Sequence, residues 1–211
     1  MITVTPDAER TMSTYLGAAG YVTPDDIDES LIQQSSVTYL EGYLFDQEDS
    51  KKAFIRASEL TKKHGKELSL TLSDTFCVER FREEFKSLIE HHIDILFANE
   101  DELLSLYETE NFDDAIAQLQ ENVEVAAITR SEKGSVIVTA GDTIIVNAVK
   151  PTQLVDTTGA GDAYAAGFLY GYTEGKTLAE CGHLGSLAAS EVISHIGPRP
   201  EQNLREMANA A

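Results

Sequence analysis

The segment DTTGAGDAYAAGFL, residues 156–169, contains the residues of this sequence that are best suited to chemistry. Gly159 and Gly161 have no side chains, so the backbone N–H groups around them can approach a ligand closely. The small and apolar run that follows predicts a buried helix, whose first turn offers unpaired N–H groups and a positive dipole end. Asp162 lies in that turn, where the dipole favours the ionised carboxylate, so it can accept a proton. The segment therefore predicts an anion hole at Gly159, Ala160 and Gly161, beside a carboxylate base.

Phosphoryl transfer fits this combination, because positioning and charge stabilisation do most of the catalytic work in that reaction. Two other phosphate-binding patterns do not fit. A P-loop requires a lysine that is absent after these glycines, and a dinucleotide-binding loop requires a third glycine where Tyr164 stands. A structural explanation stays open: Asp162 is then a helix residue favoured by the dipole, and the glycines serve close packing against a strand.

A second pattern, Asn99 followed by Glu102, comes directly after the apolar run IDILFA. Taken alone, an asparagine with a glutamate three residues later indicates a helix cap with a reciprocal glutamate. The histidines offer less: His183 and the pair His91 and His92 have no spaced acid or cysteine partners. We interpret them as solvated or packing histidines rather than metal ligands.

Composition limits the classes of partner. The 211 residues include 36 Asp and Glu against 16 Lys and Arg, a formal net charge of −20. Such a surface repels phosphate backbones and anionic lipids, so neither nucleic acid nor membrane is expected as a partner. No apolar run suggests a membrane span, and the first ten residues show no secretory pattern. Cys77 and Cys181 form no CxxC pair, which favours buried packing groups in a reducing cytoplasm.

Hydrophobic periodicity predicts strands that alternate with helices. Strands are predicted at 2–5, 10–17, 36–45, 67–73, 93–98, 125–130, 135–140 and 143–149. Helices are predicted at 50–65, 78–92, 100–108, 113–123, 161–172 and 177–196. A Gly-Asp pair between the last two strands indicates a hairpin. The order predicts an α/β fold, with a mostly parallel sheet flanked by helices and an antiparallel edge.

The opening residues, ITVT and RTMSTYLG around PDAE, predict a hairpin with no strand–helix unit before it. A two-stranded hairpin is marginally stable alone. We therefore expect it to need a partner chain or residues that this sequence lacks.

Four segments together carry a resemblance to a known family. DTTGAGDAYAAGFL resembles the C-terminal signature of the ribokinase (PfkB) carbohydrate kinases. NEDE resembles the family's NxxE motif, with Asn99 and Glu102 in its two fixed positions. TRSEKGS resembles the loop written TxGxxG, in which Thr129 and Gly134 match and Ser131 replaces the first glycine. The opening VTPDAERTMSTYLGA resembles the lid strands of the adenosine kinase-like branch.

The resemblance implies a ribokinase-like fold and a role for each matching position. Asp162 is implied as the catalytic base for a primary hydroxyl, with Gly159, Ala160 and Gly161 as the anion hole. Asp156 and Thr158 match part of a pattern for a monovalent cation, K⁺.

The resemblance also implies ATP and Mg²⁺ as cofactors. The nucleotide phosphates would be covered by the loop that contains Thr129, Ser131 and Gly134. Asn99 and Glu102 would organise Mg²⁺ and the phosphates, largely through water.

Two regions are expected: residues 1–20 as the remnant of a lid hairpin, and 21–211 as the C-terminal part of a ribokinase-like α/β nucleotide-binding domain. Kinases of this family normally begin well before the lid, with an acidic substrate contact and a Gly-Gly motif. None of these segments precedes Met1. We therefore expect little or no sugar kinase activity from this chain alone, and exposed strand edges that favour a homodimer.

Three functional hypotheses follow. The first is an ATP-dependent kinase of the primary hydroxyl of a nucleoside or sugar, with adenosine-like nucleosides ahead of ribose or fructose. The second is a non-catalytic nucleotide-binding or assembly module that kept the anion loop. The third, a relative of hydroxymethylpyrimidine or pyridoxal kinases, shares the anion loop but fits the opening hairpin less well.

Overall fold

The computed structural model describes residues 1–210 and has the α/β fold that the alternating pattern predicts. The strands are β1 (Ile2–Val4), β2 (Arg10–Met12), β3 (Val37–Glu41), β4 (Glu67–Thr71), β5 (Ile95–Asn99), β6 (Val125–Thr129), β7 (Ser135–Thr139) and β8 (Thr143–Val146). The helices are α1 (Glu29–Gln34), α2 (Glu48–Lys63), α3 (Thr75–His91), α4 (Glu100–Tyr107), α5 (Phe112–Gln120), α6 (Ala160–Thr173), α7 (Leu178–Val192) and α8 (Leu204–Ala210).

Strands β3 to β8 form one six-stranded sheet in chain order, and β1 pairs with β2 in a separate antiparallel ribbon. β3, β4 and β5 run parallel. The central residues of β4, β5, β6 and β7 are buried, as expected for strands covered on both faces. β7 and β8 are adjacent and joined only by residues 140–142, which confirms the predicted hairpin.

All eight strands are shorter than predicted, and β2 and β3 differ most. β2 ends at Met12, and β3 ends at Glu41 before a 3₁₀ turn at Gly42–Asp46. The second change has a visible cause, because a Cβ atom on Gly42 would lie 2.6 Å from the carbonyl oxygen of Thr71. The next amide, of Tyr43, donates to the Ser73 hydroxyl at 3.1 Å instead of continuing the strand. The sequence analysis did not predict helices α1 and α8.

The amphipathic helices bury the faces that their periodicity predicts. In α2 the buried apolar residues are Ala53, Phe54, Ala57 and Leu60. In α3 they are Cys77, Val78, Phe81, Phe85, Leu88 and Ile89. α2 ends just before Gly65, whose φ of +60° is the left-handed conformation expected of a glycine after a helix.

The chain divides into two compact units. The first contains Met1–Tyr15, Thr129–Ile137 and Ile144–Ala211, and the second contains Leu16–Ile128 and Val138–Thr143. The expected boundary at residue 20 stays a prediction. None of the helices within residues 1–210 has the length and apolar character needed to cross a bilayer.

Close packing of α6 on α7 fixes the helix that follows the predicted anion loop. A Cβ atom on Gly167 would lie 2.4 Å from the Leu184 carbonyl oxygen, and one on Gly185 would lie 2.8 Å from that of Tyr164. Glycine is therefore required at both positions if the two backbones are to approach this closely. Buried Tyr164 also donates its hydroxyl to Ser135 Oγ at 2.7 Å, which joins α6 to the start of β7.

Candidate active site

The predicted anion loop leads into the N-terminus of α6, and no side chain caps that end. Gly159 is the N-cap residue, with a φ of +79° and no side-chain hydrogen bond. By contrast, Asn99, Asn111 and Thr177 each cap the start of α4, α5 and α7 with a side-chain oxygen. The Ala160 amide donates to the Thr157 carbonyl at 3.2 Å, whereas no side chain caps the amides of Gly161 and Asp162, which lie at the positive end of the helix dipole.

The two glycines of this loop serve different purposes. A Cβ atom on Gly159 would lie 2.6 Å from Pro198 Cβ, so the structural explanation, close packing, accounts for this glycine. A Cβ atom on Gly161 would have nothing within 4 Å, and both Gly161 and Asp162 are exposed. Packing does not account for Gly161, and no side chain seals the loop. The structure thus leaves room beside the first turn of α6.

Asp162 lies at this open end of α6. Burial by surrounding atoms raises the pKa of its carboxyl group, and the Arg10 guanidinium opposes that shift. The helix dipole alone predicted that the ionised form would be favoured, so the upward direction differs from that expectation. Its physical cause is partial desolvation of the carboxylate. A raised pKa brings a carboxylate closer to the range in which it is an effective general base near neutral pH.

Arg10 is a functional candidate that the sequence analysis missed. It is the last paired residue of the β1–β2 ribbon, opposite Val4, and its charge lowers the pKa of both Asp162 and Asp156. A chain with a net charge of −20 needs a local positive group to bind phosphate, and Arg10 is a candidate for that group. No local motif marks this arginine, because its proximity to the loop arises only from the fold.

The turn of the opening hairpin holds Arg10 in place. Ala8 is buried in that turn with a φ of +68°, and its carbonyl oxygen accepts both the amide and the hydroxyl of Thr157, each at 3.2 Å. The hairpin is therefore anchored on the anion loop within its own chain. The expectation that it also needs a partner chain or further residues stays a prediction.

Asp156 has a structural role at the start of the loop. Its buried carboxylate accepts the amide and hydroxyl of Thr158 at 2.9 and 2.6 Å, and the amide of Gly197 at 2.9 Å. Burial opposes ionisation, but these hydrogen bonds and the Arg10 charge together hold the pKa of Asp156 below its ordinary value. Both carboxylate oxygens are thus used inside the chain. A K⁺ ion at Asp156 and Thr158 stays a prediction.

Of the predicted nucleotide-binding residues, Thr129 is the last residue of β6, and Ser131 and Gly134 lie in the loop between β6 and β7. Gly134 has a φ of +86°, and a Cβ atom there would lie 2.0 Å from the Val146 carbonyl oxygen, so glycine is obligatory. Ser131 has a φ of +52°, which explains why the resembling motif has glycine at this position. The Arg130 amide closes the loop on the Gly134 carbonyl at 2.7 Å. The Tyr164–Ser135 hydrogen bond connects this loop to α6 in the same compact unit.

Asn99 and Glu102 belong to the second compact unit, at the C-terminal end of β5. They form the predicted reciprocal cap: Asn99 Oδ1 accepts the Glu102 amide at 2.8 Å, and Glu102 accepts the Asn99 amide at 2.9 Å and its side-chain NH₂ at 2.8 Å. Burial raises the pKa of Glu102 to about 7, although the Asn99 amide opposes the shift. The neighbouring acids Asp74, Glu41 and Asp101 raise it further.

These residues fit Mg²⁺ in a limited way. Both Glu102 oxygens are occupied by Asn99, and within residues 1–210 no cluster of three His, Cys, Asp or Glu side chains forms that would hold a metal ion. Mg²⁺ typically keeps several waters and binds through one or two carboxylates together with substrate phosphates. The acidic residues near Glu102 favour a cation. Such a cation would be bound through water, as the resemblance implies, because both Glu102 oxygens are already occupied.

The remaining candidates are structural. His91, His92 and His183 are exposed. Both cysteines are free and buried, and burial raises the pKa of the Cys77 thiol to about 12 and that of Cys181 to about 11. They are packing groups, as expected from the sequence.

Comparison with known proteins gives consistent results. The chain is 50% identical to a solved adenosine kinase from Sinorhizobium meliloti and 47% identical to a solved probable sugar kinase from Rhizobium etli, each with a TM-score of 0.97. Each match covers 100% of this chain and 64% of the other chain. It is also 29% identical to the adenosine kinase of Saccharomyces cerevisiae over 203 residues, 90% of this chain and 59% of the yeast protein. This chain therefore spans less than two thirds of the length of these relatives.

The family model described as pfkB family carbohydrate kinase matches residues 1–203. That range includes the opening hairpin, the Asn99–Glu102 cap, the β6–β7 loop and the α6 anion loop. This chain belongs to the pfkB family of carbohydrate kinases.

Proposed function

We propose that this chain is the catalytic part of an ATP-dependent phosphotransferase that acts on the primary hydroxyl of a nucleoside, with adenosine-like nucleosides favoured over ribose or fructose. The observation that carries the proposal is the open N-terminus of α6, where Gly161 leaves free space beside exposed Asp162. Uncapped amides at the positive end of a helix bind phosphate, and an adjacent carboxylate accepts the proton of the attacking hydroxyl.

In the proposed reaction Asp162 takes the hydroxyl proton as the substrate oxygen forms its bond to the γ-phosphorus of ATP. The bond between that phosphorus and the β–γ bridging oxygen breaks, and ADP leaves with the electron pair. The Gly161 amide would stabilise the negative charge of the transferred group, while the Ala160 amide donates to the Thr157 carbonyl at 3.2 Å, and Arg10 would offset further negative charge near Asp162. Mg²⁺, when bound, neutralises phosphate charge.

The preference for a nucleoside rests on the relatives. Two of those described above have the name adenosine kinase, and a third is called a probable sugar kinase. Nothing in the described site selects a base or a sugar, so substrate preference is tested directly. A panel of adenosine, cytidine, ribose and fructose, assayed by ADP release, should give the highest turnover with adenosine. Equal turnover on ribose would contradict the nucleoside preference.

The activity of this chain by itself is a separate part of the proposal. It spans 64% of each of the two solved relatives, so we expect it to bind MgATP but to transfer phosphate slowly. Catalysis depends on holding the hydroxyl in line with the phosphorus, and a missing substrate contact costs rate before it costs ATP affinity. Turnover of 1–100 per second, the usual range for kinases, would contradict this expectation.

Replacing the base separates the kinase from the alternative of a non-catalytic nucleotide-binding or assembly module. Asp162→Asn keeps the size of the side chain but removes the proton acceptor. We expect it to lower phosphoryl transfer by roughly 10²–10⁴-fold and leave the MgATP dissociation constant within about twofold. An unchanged rate in Asp162→Asn would exclude Asp162 as the base and favour the binding module.

Three further expectations belong with this proposal and have their own tests. The two unpaired cysteines suit a cytoplasmic location, which fractionation checks. K⁺ dependence is measured by replacing KCl with choline chloride, and a homodimer by light scattering.

A further inference from the structure

Glu191 is a buried carboxylate in the last turn of α7 that the proposed reaction does not use. Its side chain is 2% exposed. Its Oε1 accepts the amides of Glu201 and Gln202, both at 3.0 Å, and lies 3.3 Å from His195 Nε2. Its Oε2 has no hydrogen-bond partner within residues 1–210. A buried carboxylate with an unpaired oxygen costs free energy, so packing alone would favour an apolar side chain here.

The amides that Glu191 binds belong to a segment that contacts the anion loop. We call residues 197–202 the strap. The Gly197 amide donates to Asp156 Oδ2 at 2.9 Å, and Pro198 covers Gly159 so closely that a Cβ atom there would lie 2.6 Å from Pro198 Cβ. The other end of the strap, at Glu201 and Gln202, is held by Glu191. Contacts therefore run from α7 through the strap to the loop that starts α6.

We propose that Glu191 is a positioning residue for phosphate binding: it fastens the strap to α7, and the strap sets the direction of the first α6 amides by covering Gly159. The inference rests on the proposed function, because the amides that Glu191 holds in place through the strap are those proposed to bind the ATP phosphates. Donors that are fixed before the ligand arrives stabilise charge without reorganisation, so a loose strap weakens phosphate binding in particular.

Two substitutions at position 191 separate the loss of the hydrogen-bond acceptor from the loss of the negative charge. Glu191→Met fills a similar volume but accepts no hydrogen bond, whereas Glu191→Gln keeps a carbonyl acceptor. Glu201→Gln is the matched control: it removes an acidic group 4.0 Å from His195 Nδ1, on a side chain that is 71% exposed. Pro198→Gly reaches the same contact from the strap, because it removes the Cβ atom that covers Gly159.

The binding readout compares MgATP with AMP by isothermal titration calorimetry. We expect Glu191→Met and Pro198→Gly to weaken MgATP binding about tenfold, the equivalent of one to two hydrogen bonds, and AMP binding by less than about twofold. Glu191→Gln and Glu201→Gln should stay within about twofold of the wild type for both ligands. A parallel loss for MgATP and AMP in Glu191→Met would indicate a general structural role and overturn the inference.

Hydrogen exchange in the ligand-free chain gives a readout that does not depend on nucleotide binding. Glu191→Met should speed exchange of the hydrogen-bonded Ala160 and Ala163 amides and of the Glu201 and Gln202 amides, while Glu201→Gln leaves them as in the wild type. Unchanged exchange of the Ala160 and Ala163 amides in both Glu191→Met and Pro198→Gly would refute the positioning role. A wild-type chain that does not bind MgATP would instead refute the proposed function, and exchange would still decide whether Glu191 orders the loop.

Discussion

The two glycines of the anion loop predict opposite outcomes for the same substitution. Gly161→Ala places a methyl group in open space at the second residue of α6. Because the backbone there is helical, alanine should raise the free energy of unfolding by about 0.4–1 kcal/mol. Gly159→Ala forces a φ of +79° on alanine, which costs about 1–2 kcal/mol. It also overlaps Pro198, which costs about 1–3 kcal/mol more.

Gly161→Ala, the variant expected to be more stable, is also expected to bind MgATP more weakly than the wild type. A backbone amide binds a phosphate oxygen at about 2.9 Å, which leaves little room for a methyl group at Gly161. Losing one charge-assisted hydrogen bond costs about 1.5–3 kcal/mol, so Gly161→Ala should weaken MgATP binding by about 10–100-fold. A chain that is at least as stable as the wild type would then bind nucleotide poorly. Gly159→Ala should lower the midpoint of thermal unfolding by about 10 °C.

The assay pairs urea unfolding with calorimetric titration of MgATP on both variants. Wild-type affinity for MgATP in Gly161→Ala would show that no phosphate approaches this amide, and the anion hole would have to be abandoned. Full stability in Gly159→Ala would show instead that the contact with Pro198 does not constrain the loop, and the inference about Glu191 would fail with it.

Three predictions concern charge. Arg10 lowers the pKa of Asp162, so Arg10→Met should raise that pKa, and an NMR titration of the Asp162 carboxyl carbon measures the change; no upward movement would separate Arg10 from the site. Glu102 has an ordinary pKa of 4.5 and a folded-state pKa of about 7, so the folded chain binds more protons and its stability should fall as pH rises between these values. In EDTA, Glu102→Gln should flatten that slope in urea unfolding, and an unchanged slope would contradict the assignment. The pKa of His195 is raised: burial lowers it, but the nearby carboxylates of Glu191 and Glu201 and the Ile196 carbonyl outweigh that effect. The contribution of His195 to stability is therefore complete below pH 6.5 and is lost as pH rises through its folded-state pKa. In His195→Gln this loss of stability with rising pH should disappear. An equal loss of stability in the variant would exclude His195 as its source.

The parts of the fold that were predicted correctly depend on local pattern. The buried faces of α2 and α3 follow from apolar residues at helical spacing, and the β7–β8 hairpin follows from its Gly-Asp turn. The end of β3 did not follow, because it depends on Gly42 meeting the backbone of Thr71 on the neighbouring strand. Helix α1 was missed because it has only six residues, too few for a clear period.

The uncapped first turn of α6 was predictable because its residues are consecutive, and its use as an anion hole stays a prediction. Gly159, Ala160, Gly161 and Asp162 lie in one turn, so composition and spacing already describe their geometry. The sequence did not distinguish the glycine that packs from the glycine that leaves space. That distinction required Pro198, which approaches Gly159 from a segment after α7.

Arg10 shows why the rest of the site was not predictable. An arginine after a turn is ordinary in sequence, and β2 is exposed throughout, which suggests a solvated side chain. Its electrostatic effect on Asp162 depends on the Thr157 amide and hydroxyl, which hold the Ala8 carbonyl at the edge of the anion loop. The hairpin therefore brings a positive charge near Asp162 through a contact between residues 8 and 157, which are far apart in sequence. The segment 156–162 contains no lysine or arginine, so a cation that acts on a phosphate there has to come from another segment of the chain.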